Sequence, residues 1–165
     1  NTTAFPVFGV DGSKLGVDTM KVKDILATKG NRVVTIEKTT GIIDAMAIFS
    51  ANRIGSLLIV DKKGEILGII GARDVLMAVV NHLDTIKTMT VEMIMTTNLI
   101  IGTEDDHVDY ILAIMTENRI RHVPIMKGKN LQGMVSIGDV VKALLKEKDV
   151  ENRYLKDYIA DKYPG

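Results

Sequence analysis

The apolar positions of this chain run through one succession of rhythms twice. In "KVKDIL" (21–26) the apolar residues fall on one side of a short helix, and the β-branched run from Arg32 to Ile36 reads as a strand. Ile42, Ala45, Met46 and Phe49 then recur at i, i+3, i+4 and i+7, one face of a helix with Thr40 as its N-cap. Two apolar strands, 57–61 and 66–70, flank a tight turn at Lys63-Gly64. A second helix closes the unit and is expected to turn Val75, Leu76, Val79, Val80 and Leu83 inward. The same order returns with "TVEMIM" (90–95) as a helix and Leu99 to Ile101 as a strand. A helix capped by Asp106 follows, its stripe made of Val108, Ile111, Leu112 and Met115. Strands 123–126 and 131–135 then turn at Lys127-Gly128, and a last helix faces Val140, Val141, Leu144 and Leu145 inward.

The residues repeat along with the rhythm. "ANRIGSLLIV" (51–60) answers "ENRIRHVPIM" (117–126), and "ILGIIGARDVLMAVV" (66–80) answers "LQGMVSIGDVVKALL" (131–145), at an offset of about 65. That period is too long for a solenoid unit. It predicts an α+β (mixed α/β) fold of two β-α-β-β-α repeats, residues 20–83 and 84–146, about a pseudo-two-fold axis. Three strands cannot bury both faces alone, so the two sheets are expected to pack against each other. Beyond Lys148, Tyr154, Leu155, Tyr158 and Ile159 have helical spacing. Residues 147–165 are therefore expected to form a helical tail, packed on its own subunit or on a second copy. Residues 1–19 lie outside the repeat and are expected to be a flexible, turn-rich arm or a remnant, with Met20 as the natural start.

Composition narrows the chemistry. The chain has 165 residues, 46% hydrophobic and 25% charged, enough for one good core. Lysine plus arginine equal aspartate plus glutamate at 21 each, so no basic footprint for nucleic acid or an anionic membrane is present. Cysteine is absent, which excludes disulfides and thiolate chemistry. Apolar runs fall well short of the roughly 20 residues of a membrane span. His82, His107 and His122 are scattered, no phosphate-loop, dinucleotide, zinc-protease or nucleophile-elbow motif occurs, and the methionines sit at core positions. The expectation is a non-enzymatic protein without metal or catalytic cofactor.

What remains is a matched pair of strand-to-helix junctions, "GIIGARDV" (68–75) and "GMVSIGDV" (133–140). Each helix N-terminus offers free N–H groups and a positive dipole end. Asp74 and Asp139 lie in the first turns. Alone, either aspartate could simply complement the helix dipole. As a pair at equivalent junctions they suggest a carboxylate placed to accept both hydroxyls of a ribose diol.

With these residues in place, the chain resembles the cystathionine β-synthase (CBS) domain family, as a tandem pair or Bateman module, over about residues 20–146. The resemblance rests on "RIGSLLIVD…GEILGIIGARDV" and "MT…RIRHVPI…LQGMVSIGDVV", which follow the family pattern of apolar strand, turn, G-h-h-[ST]-x-x-D and helix. "MTENRIRHVPI" and the C-terminal "ENRYLKDYI" are further similar to small stand-alone CBS-pair proteins of bacteria and mitochondria. The resemblance implies two clefts for adenosine-containing ligands (AMP, ADP, ATP, NAD(H) or S-adenosylmethionine), each built across the repeats. Cleft A would contain Gly71, Arg73 and Asp74 with Ile100, Ile101, Arg121, His122, Val123 and Pro124. Cleft B would contain Ser136, Gly138 and Asp139 with Val34, Thr35, Gly55, Ser56 and Leu57. Gly71 departs from the family's serine or threonine, which Ser136 keeps. Arg73, Arg121 and His122 would make cleft A the basic, phosphate-preferring one, weakening as pH rises through about 6.5. A homodimer, an unidentified regulated partner and a cytoplasmic setting are also implied. Two other readings stay open: a nucleotide-independent interaction scaffold with decayed clefts, and a regulatory segment of a larger enzyme or transporter.

Overall fold

The computed structural model describes residues 19–162, so nearly all of the expected N-terminal arm lies outside it. The first repeat holds α1 (Val22–Lys29), β1 (Thr35–Glu37), α2 (Ile42–Asn52), β2 (Ser56–Val60), β3 (Ile66–Gly71) and α3 (Ala72–Asn81). Two short 3-10 turns, Ile86–Thr88 and Val91–Met93, lead into the second, which holds α4 (Val108–Glu117), β4 (His122–Lys127), β5 (Asn130–Ser136) and α5 (Ile137–Lys162). In the first sheet β1 runs parallel to β2, and β2 antiparallel to β3; β4 and β5 form the antiparallel hairpin of the second. Both hairpins turn on a glycine in the left-handed region, Gly64 at φ +82° and Gly128 at φ +60°.

The two sheets do not share one core. Buried side chains form two clusters, each completed by the other repeat's entry segment. Val22, Ile25 and Leu26 of α1 lie with Val108, Ile111, Val123, Val135 and Val140 of the second repeat. Ile86, Met89 and Val91 lie with Ile42, Phe49, Leu57, Ile70 and Val75 of the first. Backbone bonds fix this exchange symmetrically. Val22 N–H donates to Asp106 O and Val108 N–H to Met20 O, while Val91 N–H donates to Thr40 O and Ile42 N–H to Met89 O. The recurring Gly68 and Gly133 serve the same exchange. A Cβ on Gly68 would lie 2.8 Å from Met95 Sδ, and one on Gly133 2.7 Å from Leu26 Cδ2.

The exchange explains several departures from the sequence pattern. Residues 90–95 make only a 3-10 turn, because Thr96 is drawn into a bridge with Ile69 on the β3 edge. Leu99–Ile101 is not a strand, and the counterpart of β1 shrinks to a single parallel bridge between Gly102 and Ile125. The next rung needs a donor at position 124, and Pro124 has no N–H; Leu58 stands at that point in the first repeat. Thr40 and Asp106 are not the N-caps. Gly41 and His107 hold those places, since both preceding residues use their carbonyls on the partner segment. On α3 and α5, Val75, Ala78, Val140 and Ala143 point inward. Leu76, Val80, Leu83, Val141 and Leu145 are exposed instead, as is Met46 on α2. The expected tail is no separate helix: with no glycine or proline between Gly138 and Lys162, α5 runs on to Lys162, with Val150 and Leu155 exposed.

Candidate functional site

At the first junction β3 passes directly into α3. Gly71 is the N-cap, and its N–H donates to Asp74 Oδ2 at 2.7 Å. Ser56 pairs with Gly71 across the hairpin, and Ala72 N–H donates to Gly55 O at 3.2 Å. Asp74 and Arg73 are exposed, and among the described residues no ion pair reaches Asp74.

The second junction repeats this geometry and adds to it. Ser136 N–H and Ser136 Oγ both donate to Asp139 Oδ2 at 2.8 Å, and Asp139 N–H donates to Ser136 Oγ at 3.2 Å. His122 pairs with Ser136, and Ile137 N–H donates to Arg121 O at 2.9 Å. A residue absent from the sequence reading completes the cluster. Lys29, at the end of the docked α1, places its ammonium 2.5 Å from Asp139 Oδ2 and 3.0 Å from Met134 O. Burial raises the Asp139 pKa, but the hydrogen bond from Lys29, the two from Ser136 and the Lys29 charge outweigh it and hold the carboxyl below the usual carboxylate range. Sequence alone carried no signal for Lys29, since its partner is 110 residues away and the meeting depends on the exchanged helix.

His122 is held below its ordinary pKa, first by burial and then by the charges of Lys29 and Arg121, with Asp139 opposing. Burial and the two neighbouring cations thus disfavour the charged imidazolium that a phosphate contact from His122 would use.

Most of the hydrogen-bonded neighbours among the expected site residues lie within one repeat: Gly55 and Ser56 beside the Asp74 turn, Arg121 and His122 beside the Asp139 turn. One close approach joins the repeats. The His122 ring lies against Gly55, where a Cβ would sit 2.9 Å from Cε1. Leu57 and Val123 are fully buried in opposite cores, and Pro124 is buried, so none of the three presents surface to a ligand in this structure. Val34 is half-buried against the first core and Thr35 is exposed beside Leu58. Ile100 is half-buried, while Ile101 and Gly138 are exposed. Behind Asp139, α1 and α5 enclose a groove of about 540 Å³ lined by Asp24, Thr28, Lys29, Asp139, Lys142 and Lys146. Among the described residues no group of three or more metal-ligating side chains converges, and no helix is long and apolar enough to cross a membrane.

Comparison with known proteins agrees with this architecture. A family model described as the CBS domain matches residues 22–81 and again 91–146. The mitochondrial CBS domain-containing protein CBSX3 of Arabidopsis thaliana is 35% identical over 159 residues, covering 90% of this chain and 76% of its own length. The crystal structure of a CBS-domain-containing protein from Agrobacterium tumefaciens superposes with a TM-score of 0.73 at 37% identity, covering 75% of this chain and 98% of that one. The CBS domain pair of protein MJ0100, crystallised with 5′-methylthioadenosine and S-adenosyl-L-methionine, superposes with a TM-score of 0.68 at 30% identity, covering 78% of this chain and 98% of that one.

Proposed function

We propose that this chain, which belongs to the CBS domain family as a tandem pair, is a non-enzymatic regulatory module that binds adenosine-containing ligands at its two aspartate turns. One observation carries the reading. At both junctions a carboxylate is oriented by the N–H of the residue three positions before it, through Oδ2, while no hydrogen bond reaches Oδ1 among the described residues. Such a carboxylate is held still and keeps acceptor capacity for a diol. The adenosine compounds crystallised with the MJ0100 pair support the ligand class. AMP, ADP, ATP and NAD(H) are the candidates, with Asp74 and Asp139 as ribose acceptors in clefts A and B. Mass spectrometry of the chain purified under native conditions tests it: an adenosine-containing mass should be retained. Retention of none, together with no binding of added adenine nucleotides, would refute it.

A homodimer is part of this proposal. Leu76 and Val80 on α3 and their counterparts Val141 and Leu145 on α5 are 61%, 61%, 45% and 62% exposed, so both helices carry the same apolar stripe outward. A second copy would present the same two stripes, as an isologous interface requires. Ligand-dependent change in the angle between repeats or copies would then bias a regulated partner. A cytoplasmic setting belongs to the same proposal.

The scaffold reading has one observation in its favour: Lys29 already occupies Asp139 Oδ2, which the second hydroxyl of a diol would need.

A further inference from the structure

We propose that the groove between α1 and α5 is the phosphate-receiving arm of the Asp139 site, and that Lys29 selects phosphorylated over unphosphorylated nucleosides by moving from Asp139 to the ligand's phosphate. This rests on the reading of Asp139 as a ribose acceptor. Asp139 Oδ2 is crowded, taking Ser136 N–H, Ser136 Oγ–H and Lys29 Nζ. A diol can donate one hydroxyl to Oδ1, but its second needs room at Oδ2, and Lys29 is the donor there that can leave. The Ser136 bonds are built into the turn, whereas Lys29 is 38% exposed on a flexible stem. A neutral nucleoside that displaces Lys29 leaves an ammonium without its anion. A phosphate supplies a new one.

The groove gives that phosphate somewhere to go. Lys142 and Lys146, three and seven residues after Asp139, share its face of α5 and line the groove with Lys29. Among the described residues neither makes an ion pair. The one other carboxylate in the lining, Asp24, accepts the Lys21 N–H at the start of α1. A volume of about 540 Å³ lies in the range of small-ligand clefts. The ligand class is therefore a ribonucleoside with a free diol and a chain of phosphates, and the phosphate-preferring cleft is the one at Asp139 rather than the one at Asp74.

The test is calorimetric titration of the full chain with adenosine, AMP and ATP, in an Asp74→Ala background that isolates the Asp139 cleft. Affinity should rise in that order. Lys29→Met should leave adenosine binding equal or tighter and cut the preference for AMP over adenosine by about tenfold, while Lys29→Arg keeps the preference. Lys142→Gln with Lys146→Gln should weaken ATP severalfold and leave adenosine unchanged. An equal change in adenosine and AMP affinity in Lys29→Met would overturn the role of Lys29, and undiminished ATP affinity in the double glutamine variant would overturn the groove. If none of the three ligands binds, or binding survives Asp139→Ala at full strength, the ribose reading of Asp139 falls first and this inference with it.

Discussion

Gly68 and Gly133 stand at matched places in β3 and β5, each beneath the other repeat's entry segment, yet they should respond differently to an added methyl. On Gly68 a Cβ would lie 2.8 Å from Met95 Sδ and 2.9 Å from Thr96 O, against an ordinary contact of 3.4–4 Å. The Thr96 carbonyl cannot withdraw alone, because Ile69 N–H donates to it at 3.0 Å and Thr96 N–H returns a bond to Ile69 O at 2.9 Å. On Gly133 the three nearest atoms all belong to the Leu26 side chain, the nearest being a terminal methyl at 2.7 Å that a χ rotation can move. Overpacking of a fixed neighbour costs about 1–3 kcal/mol, while replacing a strand glycine by alanine returns about 0.5–1 kcal/mol. Gly68→Ala should therefore lose about 1–2 kcal/mol and Gly133→Ala close to none. For a chain of this size that lowers Tm by roughly 2–8 °C for the first and less than about 2 °C for the second. Scanning calorimetry on both variants decides it. Equal losses, or a Gly68→Ala protein as stable as the parent, would mean that the 89–96 segment is not held on β3 as described.

Other consequences are as direct. Asp139 has a lowered folded pKa, so its contribution to stability is fully present above the unfolded value of about 3.9 and is lost as pH falls from there through the lower folded value. Urea titrations of Lys29→Met between pH 3 and 7 should show a shallower acid loss than the parent, and an identical slope would contradict the ion pair. Gly55→Ala should push the His122 ring outward, returning its NMR titration midpoint toward the ordinary value; an unmoved midpoint would contradict the burial. Pro124→Leu supplies the missing donor and should give a slowly exchanging amide at 124 as Leu99–Ile101 joins the sheet; fast exchange there would refute the role given to proline. Leu76→Glu with Val80→Glu should convert a dimer to a monomer by light scattering while the circular dichroism spectrum stays that of a folded protein, and a dimer that persists would exclude these stripes as the interface.

Much of this was legible in the sequence, because the signals were local and doubled. The hairpins, their left-handed glycines and the strand-to-helix aspartate turns all follow from spacing within about fifteen residues. The exchange of entry segments was not legible. Leu26 and Met95 mark their own helical patterns, and nothing in those patterns says that each covers a glycine of the other repeat. The outward stripes on α3 and α5 were misread for a related reason. Leu76, Val80 and Leu83 have the same apolar character as Val75 and Ala78, and only the position of the sheet decides which side is wet. The lost strand at Leu99–Ile101 did have a signal, the proline at 124 opposite it. Lys29 had none, because its partner Asp139 lies 110 residues away.

The account stands most directly on titration of AMP into the parent chain, Asp74→Ala, Asp139→Ala and the double variant, with thermal melts as the folding control. Removing a ribose-holding carboxylate costs about 1.5–3 kcal/mol, so each single variant should weaken its own cleft roughly tenfold to a hundredfold. The double variant should bind AMP tenfold to a hundredfold more weakly at both clefts while melting as a folded protein. A folded double variant that still binds AMP with the parent's affinity would show that neither aspartate turn holds the ligand.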